Sequence, residues 1–482
     1  MPSLNWIGKE AVISHDKDVP FKLLKKVKSV SVGENSQNLI IHGDNLEALK
    51  ALMPYYGGKV KCIYIDPPYN TGNEKWIYND NVNSPKIKKW LGKVVGGESE
   101  DLCRHEKWLC MMYPRLKLLR DLLSEDGGIF VSIDYNEEAN LRILLNEIFG
   151  SENYRNTFIV SRVKKNIQER EKVRAVNFGY NSILFFSKSG RCLINPPRKF
   201  QKKEDRWHAF DAPGIRRSME YEIFGKKPPT GRHWMYSSDR TDKMLKNNEI
   251  RKSSTGSIQY LLKASNFTLL DTNWTDIQEY DSNWNFPNGE KNVALIKRVI
   301  NMLSDRDSVI LDSFAGSGTT GHAVLDLNKE DSGNRKFVMV ELEDRVAKDI
   351  TADRIKKAIN DNGYKEGFEY CELDKPLFDE DGQIEKECSF EQLATYIYFT
   401  ETNTNLDKKV IFGNSIGEYG DTKYYLLFKG KGKNILGKNF LKNISKNNSK
   451  KVIYADKCLI DDKILEKYNI QFKQIPYEVK VY

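Results

Sequence analysis

Short apolar runs alternate with segments of helical periodicity in the first part of the chain. The runs are typical of buried strands because they end at Gly, Asp or Ser, and the longer segments place apolar residues on one helical face. The predicted strands are 38–44, 60–66, 127–134 and 181–189, and the predicted helices are 45–56, 103–123 and 137–150. Pro114 should kink or divide the second helix, Gly150 should close the third, and Gly96-Gly97 predicts a loop. This alternation predicts a mostly parallel α/β sheet.

The alternation fades after residue 190 and then returns. Residues 191–280 are rich in Arg, Lys, Pro, Gly and aromatic residues and show little periodicity. A second α/β block follows, with predicted helices at 292–303, 319–328 and 346–360 and predicted strands at 308–314 and 336–343. The two blocks are therefore either halves of one sheet or separate domains.

These patterns divide the chain into five segments. They are an N-terminal lead (1–37), the first α/β block (38–190), an irregular region (191–285, basic from about residue 151), the second α/β block (286–365) and a small C-terminal α/β domain (366–482). The last segment is predicted from helices at 390–401 and 461–468 and strands at 422–430, 450–458 and 470–479. A chain of 482 residues is too long for one hydrophobic core, which agrees with several domains.

Positive charge is concentrated in the middle of the chain. The formal net charge is +9, but residues 151–260 hold 24 Lys and Arg against 11 Asp and Glu, a net of +13. The remaining residues hold 52 against 56, a net of −4. Such a segment attracts polyanions, nucleic acid above all, although a solvated basic surface would give the same count.

Composition excludes several classes of protein. The chain has no apolar run long enough to cross a membrane, and its first residues lack the apolar core of a secretion signal. The seven cysteines are scattered, with no C-x-x-C pair and no Cys/His cluster, so neither a zinc site nor a disulfide framework is predicted. We expect a reduced, cytoplasmic protein without a metal.

A glycine-rich turn in VILDSFAGSGTTGHAV (309–324) is the first candidate site. Gly316, Gly318 and Gly321 lie between a predicted strand and a predicted helix and satisfy G-x-G-x-x-G, a pattern shared by ligand sites and by plain packing turns. A P-loop would need lysine where His322 stands. The turn therefore fits either a dinucleotide or S-adenosylmethionine, if it binds a ligand at all.

The two ligands would use this turn differently. A dinucleotide places its pyrophosphate at the helix N-terminus, whereas S-adenosylmethionine places its amino-acid part against the glycines and its ammonium near an acid such as Asp312. Both require a second acid for the ribose hydroxyls, and Glu341 follows the next predicted strand. Glycine spacing alone leaves the choice open.

The second candidate site is in KCIYIDPPYNTG (61–72), where a predicted strand stops at Asp66, Pro67, Pro68 and Tyr69. The exocyclic amine of a nucleobase is a poor nucleophile because its lone pair is delocalised into the ring. A carboxylate at a strand end and a proline-fixed carbonyl can accept its N–H bonds and direct the lone pair, and Tyr69 offers a face on which a flipped base stacks. A plain strand-capping turn is the weaker interpretation, because a glycine-rich turn accompanies this motif.

Together these motifs resemble those of amino-directed DNA methyltransferases of the β arrangement, in which the D-P-P-Y half precedes the donor-binding half. Here DPPY at 66–69 precedes FAGSGTT at 314–320. The chain is similar, in particular, to the modification (Mod) subunits of type III restriction–modification systems. The similarity runs through LNWIGK, LIIHGDNLEAL, IYIDPPYNTG, WLCMMYPRLKLLRDLLSEDGGIFVSID and FKQIPYEV, and covers nearly the whole chain except the basic middle.

The resemblance implies a circularly permuted, Rossmann-like methyltransferase fold in which both α/β blocks form one sheet. It implies that Asp66, Pro67, Pro68 and Tyr69 hold a flipped adenine. It also implies a set of residues for S-adenosylmethionine: Asp312, Phe314, Gly316, Gly318 and Thr319 at the methionine end, Glu341 at the ribose, and Asp44 at the adenine ring. Residues 191–285 would be the target-recognition region, and the candidate DNA contacts are Arg162, Lys164, Lys165, Arg216, Arg217 and Arg232.

The sequence therefore predicts an S-adenosylmethionine-dependent DNA adenine-N6 methyltransferase that acts on double-stranded DNA. Similarity to Mod subunits implies a homodimer and makes a restriction (helicase–nuclease) subunit a candidate partner. Two features depart from the family pattern. Lys291-Asn292 stands where many relatives have Lys-Pro, and the chain is shorter than many Mod subunits, which would also suit a stand-alone enzyme.

Two alternatives stay open at this point. The acceptor could be cytosine N4, an adenine in RNA or a glutamine amide in a protein, because all of these are planar amines. The basic region argues against a protein substrate, and Asp rather than Ser or Asn at position 66 favours adenine in DNA. The chain could instead act chiefly as the DNA-specificity subunit of a restriction complex, with methylation secondary or lost.

Overall fold

The computed structural model describes residues 3–33, 36–71, 85–94, 103–162, 176, 178–200, 203–281, 290–379, 381–429, 434–442, 444, 449–476 and 479. The predicted loop at Gly96-Gly97 lies outside these residues. The chain forms two compact units. The larger is Met1–Asn195 together with Thr272–Tyr482, and the smaller is Pro196–Asp271.

A ten-stranded mixed sheet is the centre of the larger unit. Its strands are β1 (Lys22–Lys26), β2 (Leu39–His42), β3 (Val60–Ile65), β4 (Leu123–Ile133), β5 (Tyr154–Ser161), β6 (Tyr180–Ser187), β7 (Asn273–Gln278), β8 (Val309–Asp312), β9 (Lys336–Glu341) and β10 (Glu369–Pro376). Their order is β1-β10-β2-β9-β8-β3-β4-β6-β5-β7. From β10 to β4 the neighbours are all parallel, whereas β1 and β6 run antiparallel to the strands beside them.

Strand β8 pairs with strand β3, and this pairing joins the two α/β blocks into one sheet, as predicted from the resemblance. From β8 the chain proceeds through a helix to β9 on one side, and from β3 it proceeds through a helix to β4 on the other. The strand order therefore reverses between β3 and β8. In open α/β sheets, ligands bind at the carboxyl ends of the strands at such a reversal.

Helices cover both faces of this sheet because its central strands are apolar on both sides. Ile63 and Ile65 pack on one face with the helices Asn45–Tyr56, Arg104–Leu122 and Glu138–Phe149. Cys62 and Tyr64 pack on the other face with the helices Val293–Leu303, Thr319–Asp331 and Asp353–Asn362. The described part of this unit also contains the helices Lys9–Val12, His15–Asp18, Pro85–Val94, Asp344–Val346, Phe390–Thr402, Lys438–Leu441 and Asp462–Lys467, the 3₁₀ turns Ser151–Asn153 and Lys408–Val410, and a π-helical turn at Ala347–Ala352.

The structure differs from the expectations of the sequence in one helix and in several strands. The helix Arg104–Leu122 is not divided at Pro114, because the side chains around the proline are buried in the core on both sides of it. Of the ten strands of this sheet, β1, β5, β7 and β10 were not predicted. They lie toward its two edges, where polar residues interrupt the apolar pattern. They form through pairing: β1 with β10, β10 with β2, β5 with β6, and β7 with β5.

Residues 366–482 contribute both to the main sheet and to a smaller one. Strand β10 pairs with β2 in the main sheet. The smaller sheet contains, in order, Ser415–Tyr419, Thr422–Leu426, Lys450–Ala455 and Ile470–Gln474. Two short ladders also belong to the larger unit, Tyr280–Asp281 with Glu290–Lys291, and Ile435–Leu436 with Lys457–Cys458. Of the helices in the described part of the chain, none has the length and apolar character that a membrane crossing needs.

The smaller unit has its own apolar core, formed by Phe210, Ile223, Trp234, Ile250 and Ile258. Its strands are Arg198–Phe200, Arg206–Ala209, Asp211–Pro213, Arg232–Trp234, Ile250–Lys252, Ile258–Leu262 and Phe267–Leu269, and its helices are Ser238–Lys246 and the 3₁₀ turn Arg217–Met219. All of its strand pairs are antiparallel. The unit lies inside the predicted target-recognition region, 191–285.

The turn after β3 is held at two points by neighbouring helices. The Trp108 indole N–H donates to the Pro68 carbonyl at 2.7 Å. Asn70 is fully buried with a φ of 58°, and its amide donates to the Arg104 carbonyl and to the buried carboxylate of Glu137. A positive φ is unfavourable for most residues but tolerable for Asn, so this side chain both permits the turn and anchors it.

Asn70 substitutions should separate these two contributions. Asn70→Gly keeps the positive φ accessible and removes the side-chain hydrogen bonds, so the free energy of unfolding should fall by about 1–2 kcal/mol. Asn70→Ala removes the same bonds and adds a left-handed backbone penalty of roughly 1 kcal/mol. Urea unfolding of both variants checks this order. Equal losses of unfolding free energy in the two variants would show that the positive φ at position 70 does not affect stability.

Candidate active site

The two candidate motifs lie at the carboxyl ends of neighbouring strands. Asp66 directly follows β3, and Asp312 is the last residue of β8, with Leu311 in register opposite Ile63. Burial is the main cause of the raised pKa of Asp312, and the charge of Asp66 raises this pKa further. The structure therefore brings together residues that the sequence places in opposite halves of the chain.

The glycine-rich turn connects β8 to the helix Thr319–Asp331 in a conformation that glycine favours. Gly316 has a φ of 49° and Gly318, which precedes the helix, a φ of 79°. A Cβ atom on Gly318 would lie 3.1 Å from the Thr351 side chain, and the Thr351 hydroxyl donates to the Gly316 carbonyl at 2.6 Å. The turn is thus held against the π-helical segment that follows β9. Phe314 lies half-buried at its start.

Two buried carboxyl groups flank this turn. Asp312 accepts from the Thr320 hydroxyl at 2.5 Å and from the Phe314 N–H at 3.0 Å. Glu341, at the end of β9, accepts from the Gly316 N–H at 2.9 Å and from the Glu343 N–H at 3.0 Å. Burial raises the pKa of each of these two carboxyls to about 7. Both groups therefore titrate near neutral pH.

Asp44 follows β2, the next strand along this edge, and its carboxylate oxygens bond to other residues of the protein. One oxygen accepts from the first turn of the helix Asn45–Tyr56, at 2.9 Å from the Leu46 nitrogen. The other is 3.1 Å from a guanidinium nitrogen of the buried Arg115. Asp44, Gly43 and Leu342 also line a cavity of about 720 Å³, together with His15, Asp18, Val19, Pro20, His42, Leu46, Glu47, Lys89, Lys93, Val94 and Ala11.

Tyr69 points into the protein, where its ring is only 5% exposed. Its hydroxyl donates to Glu279 at 2.8 Å and accepts from the Lys291 ammonium at 2.6 Å. The same ammonium lies 3.1 Å from Asp66 and contacts Glu279. Burial raises the pKa of the Tyr69 phenol well above its ordinary value. The D-P-P-Y motif is therefore bonded to Lys291 of the second α/β block and to Glu279, which precedes that block.

Sequence reasoning missed Glu279 and noted Lys291 only as the retained lysine of a Lys-Pro pair in which Asn292 replaces the proline. Glu279 follows β7, in a stretch without periodicity, and is 1% exposed. Lys291 is 6% exposed, and only the tertiary structure shows that its ammonium reaches Asp66. The signal available in the sequence was the match of Lys291 to the lysine of the Lys-Pro pair in many relatives.

Pro67 and Pro68 fix the direction of two carbonyls. The Pro68 carbonyl accepts from Trp108, whereas the Pro67 carbonyl accepts no hydrogen bond from any described residue. The oriented Pro67 carbonyl and the Asp66 carboxylate belong to neighbouring residues. Together they are the two hydrogen-bond acceptors that a planar amine would need. The site can therefore accept two N–H bonds from one amino group.

The candidate DNA contacts differ in their surroundings. Arg216 and Arg217 are exposed in the smaller unit, whereas Arg232 is paired with Asp211 there. Arg162 follows β5 and is half-buried. Lys164 and Lys165 lie outside the described residues.

Comparison with known proteins gives a family. The model of the N6/N4 DNA methylase family matches residues 60–352. The type III restriction–modification enzyme StyLTI Mod subunit of Salmonella typhimurium is 30% identical over 372 residues, covering 68% of this chain and 55% of its own. The EcoP15I Mod subunit of Escherichia coli is 29% identical over 439 residues, covering 74% and 67%. The predicted resemblance to Mod subunits is confirmed.

Some similar proteins are not Mod subunits. The type II methyltransferase M.EcaI of Enterobacter cloacae is 29% identical over 356 residues, covering 68% of this chain and 73% of its own. The solved structure of the cytosine-N4-specific PvuII DNA methyltransferase matches with 13% identity and a TM-score of 0.36, covering 67% of this chain and 92% of its own. The chain spans 55% to 67% of the length of the Mod subunits named above. Since the family model covers more than half of the chain, from the D-P-P-Y strand to beyond the glycine-rich turn, the protein belongs to the N6/N4 DNA methylase family.

Proposed function

We propose that this protein transfers a methyl group from S-adenosylmethionine to N6 of a flipped adenine in double-stranded DNA, as the modification component of a type III-like restriction–modification system. The observation that carries the proposal is the adjacency of Asp66 and Asp312 at the ends of paired strands. One motif suits a planar amine and the other suits a methyl donor, so their adjacency supports transfer between the two. Family membership supports the same reaction class.

The residues present fit S-adenosylmethionine. The donor supplies an activated methyl group and carries an ammonium, a ribose and an adenine. Asp312 would pair with the ammonium, N–H groups at the start of the helix Thr319–Asp331 would bind the carboxylate, and Glu341 would accept from the ribose hydroxyls. The 720 Å³ cavity beside Asp44 and Leu342 would take the adenine. Asp44 would contact the adenine in this cavity while it also caps the helix Asn45–Tyr56.

On the target side, Asp66 and the Pro67 carbonyl would each accept an N–H of the target amine. This raises the electron density on nitrogen and aims its lone pair at the methyl group, so no strong base is required. Tyr69 would stack on the base. Its ring is covered in this conformation, so a base would reach it only after neighbouring side chains move.

The choice of adenine N6 rests on two supports. Residue 66 is Asp rather than Ser or Asn, and the Mod subunits StyLTI and EcoP15I align over most of this chain. Cytosine N4 is the second candidate, because the matching family includes N4 methylases. Asp66 and Pro67 would orient either amine.

The smaller unit is proposed as the part that reads the DNA site. Its residues, 196–271, hold 16 Lys and Arg against 9 Asp and Glu, a net of +7, so this unit would be attracted to the phosphate backbone, and exposed arginines such as Arg216 and Arg217 would contact it. A homodimer and a restriction (helicase–nuclease) subunit are proposed as partners by analogy with the Mod relatives. This activity would place the protein in the bacterial cytoplasm, where the DNA is.

Sequencing of modified bases tests the proposal as a whole. We would express the chain in a methylation-free host and map modified bases in its DNA by single-molecule sequencing. N6-methyladenine at one short motif supports the proposal, and methylation of one strand at an asymmetric motif supports the type III assignment. N4-methylcytosine would replace the adenine assignment. Unmodified DNA from a host with well-expressed protein would contradict methylation by this chain alone.

Asp66→Ala should abolish methylation while donor affinity stays within about twofold of the unsubstituted protein. The substitution removes an acceptor for the target amine and leaves the glycine-rich turn intact. Tritium transfer from the donor to DNA and calorimetric titration with S-adenosylmethionine measure the two effects separately. A variant that methylates at the normal rate would contradict the assignment of Asp66.

Donor affinity should increase with pH across neutrality. The pKa of Asp312 is raised to about 7, and only its ionised form attracts the donor ammonium. Lowering the pH from about 7.5 to about 6 protonates most of this carboxyl, so the dissociation constant should rise roughly five- to tenfold. Calorimetric titration at several pH values checks this. Asp312→Asn is the control and should bind weakly with a flatter pH dependence; a flat response in the unsubstituted protein would contradict the role of Asp312.

A further inference from the structure

Glu290 and Lys291 form a two-residue strand, and their two side chains contact different halves of the site. The strand pairs with Tyr280–Asp281, and consecutive side chains of a strand point in opposite directions. Glu290 lies 2.8 Å from a guanidinium nitrogen of Arg354, and the same nitrogen donates to the side chains of Ser317 and Thr319 in the glycine-rich turn. Lys291 points the other way, toward D-P-P-Y.

The Lys291 ammonium is buried among oxygens of the target pocket. It lies 3.1 Å from Asp66, 2.6 Å from the Tyr69 hydroxyl and 3.4 Å from the Tyr280 hydroxyl, and it bonds to Glu279. It also lies 4.5 Å from the centre of the Tyr280 ring. A buried ammonium is unfavourable unless carboxylates and hydroxyls surround it, and here two of these groups belong to the D-P-P-Y motif.

These surroundings determine the pKa of Asp66, and so the fraction of this carboxyl that is ionised. Burial raises the pKa of Asp66, Lys291 lowers it, and the neighbouring Glu279 carboxylate raises it. Burial alone would lower the pKa of Lys291, but Asp66 and Glu279 raise it above its ordinary value, so the ammonium stays charged. A protonated Asp66 would be a weaker acceptor for the target amine. The lysine therefore favours the carboxylate form that the reaction needs.

The summed charge of Asp66, Glu279 and Lys291 also suits methyl transfer. Two carboxylates and one ammonium leave one net negative charge in a buried pocket. Methyl transfer makes the amine nitrogen cationic before it loses its proton. A single negative charge nearby stabilises that nitrogen, whereas a neutral or positive pocket would oppose it.

We propose that Lys291 is a positioning residue for methyl transfer: its ammonium keeps Asp66 ionised and turned toward the target amine and fixes the Tyr69 hydroxyl, while Glu279 holds the ammonium in place. This inference rests on the proposed methyl transfer. It assigns Lys291 to the target pocket and not to donor binding. Glu290, its neighbour in the strand, acts on the donor side through Arg354.

The pH dependence of methylation tests the proposal. At saturating donor, the acidic limb of kcat/KM for DNA should report the ionisation of Asp66. In Lys291→Met this limb should move to higher pH by about one unit or more, so that activity at neutral pH falls about tenfold and recovers in alkaline buffer. Lys291→Arg keeps a cation and should shift the limb much less. Affinity for S-adenosylmethionine should stay within about twofold in both variants.

Glu279→Gln provides a test of opposite sign. It removes the carboxylate that disfavours ionisation of Asp66, so the acidic limb should move to lower pH or stay in place. A purely structural role would make both variants less active at every pH. Equal losses in Lys291→Met and Glu279→Gln, or an unshifted limb in Lys291→Met, would overturn the proposal.

A matched control is available in Lys451, another buried lysine. Its ammonium donates to the carbonyls of Ser449 and Tyr468 in the small sheet of the C-terminal part. Lys451→Met should leave the pH profile unchanged even if it lowers stability. Circular dichroism and donor titration of every variant show whether it is folded.

A second measurement separates this inference from the proposed function. Infrared difference spectra between acidic and alkaline buffer report the protonated carboxyl of Asp66, identified by its loss in Asp66→Asn. Its titration should move to higher pH in Lys291→Met whether or not DNA is methylated. An unmodified DNA substrate with a shifted Asp66 titration would contradict the proposed function only. Normal methylation with an unshifted titration would contradict the role of Lys291 only.

Discussion

The parallel pairing of β3 with β8 is the constraint on which the site depends. It places the carboxyl ends of two strands from distant parts of the chain side by side, at the point where the strand order reverses. Apart from Lys61 near the start of β3 and Asp312 at the end of β8, both strands are apolar, and helices cover both of their faces. The polar groups of the site emerge only at the strand ends, where the apolar core stops.

That edge concentrates buried ionisable groups, which is unfavourable for the fold by itself. Asp312 and Glu341 are held by hydroxyl and backbone N–H donors, and burial raises the pKa of both. Asp66 and Glu279 instead share the Lys291 ammonium. Under the proposed function, the side with Asp312 and Glu341 would receive the ammonium of the donor, whereas the side with Asp66 already contains the Lys291 ammonium. This difference follows from the chemistry proposed for each half, an ammonium on one side and an uncharged amine on the other.

The smaller unit, Pro196–Asp271, is built independently of the parallel sheet. It has its own aromatic and aliphatic core and antiparallel ladders, so its basic surface can vary without disturbing the parallel sheet. The exposed arginines are carried by this core, in the way that binding residues are often carried on loops of a rigid scaffold. A division of this kind would let DNA specificity change while the chemistry at Asp66 stays the same.

The sequence by itself determined the α/β class, most central strands and helices, and both motifs. Strand runs such as 60–66 and helices such as 292–303 are marked by local periodicity, and the conformation of D-P-P-Y and of the Gly316–Gly318 turn is largely a property of proline and glycine. Edge strands β5 and β7 escaped prediction because their stability comes from pairing with other strands rather than from their own pattern. Only the tertiary structure decided that Tyr69 is buried, that Asp44 is paired with Arg115, and that Glu279 and Lys291 belong to the site. The physical reason is that these contacts join side chains far apart in the chain, Tyr69 and Lys291 being 222 positions apart, and depend on burial and charge at one sheet edge that no local pattern encodes.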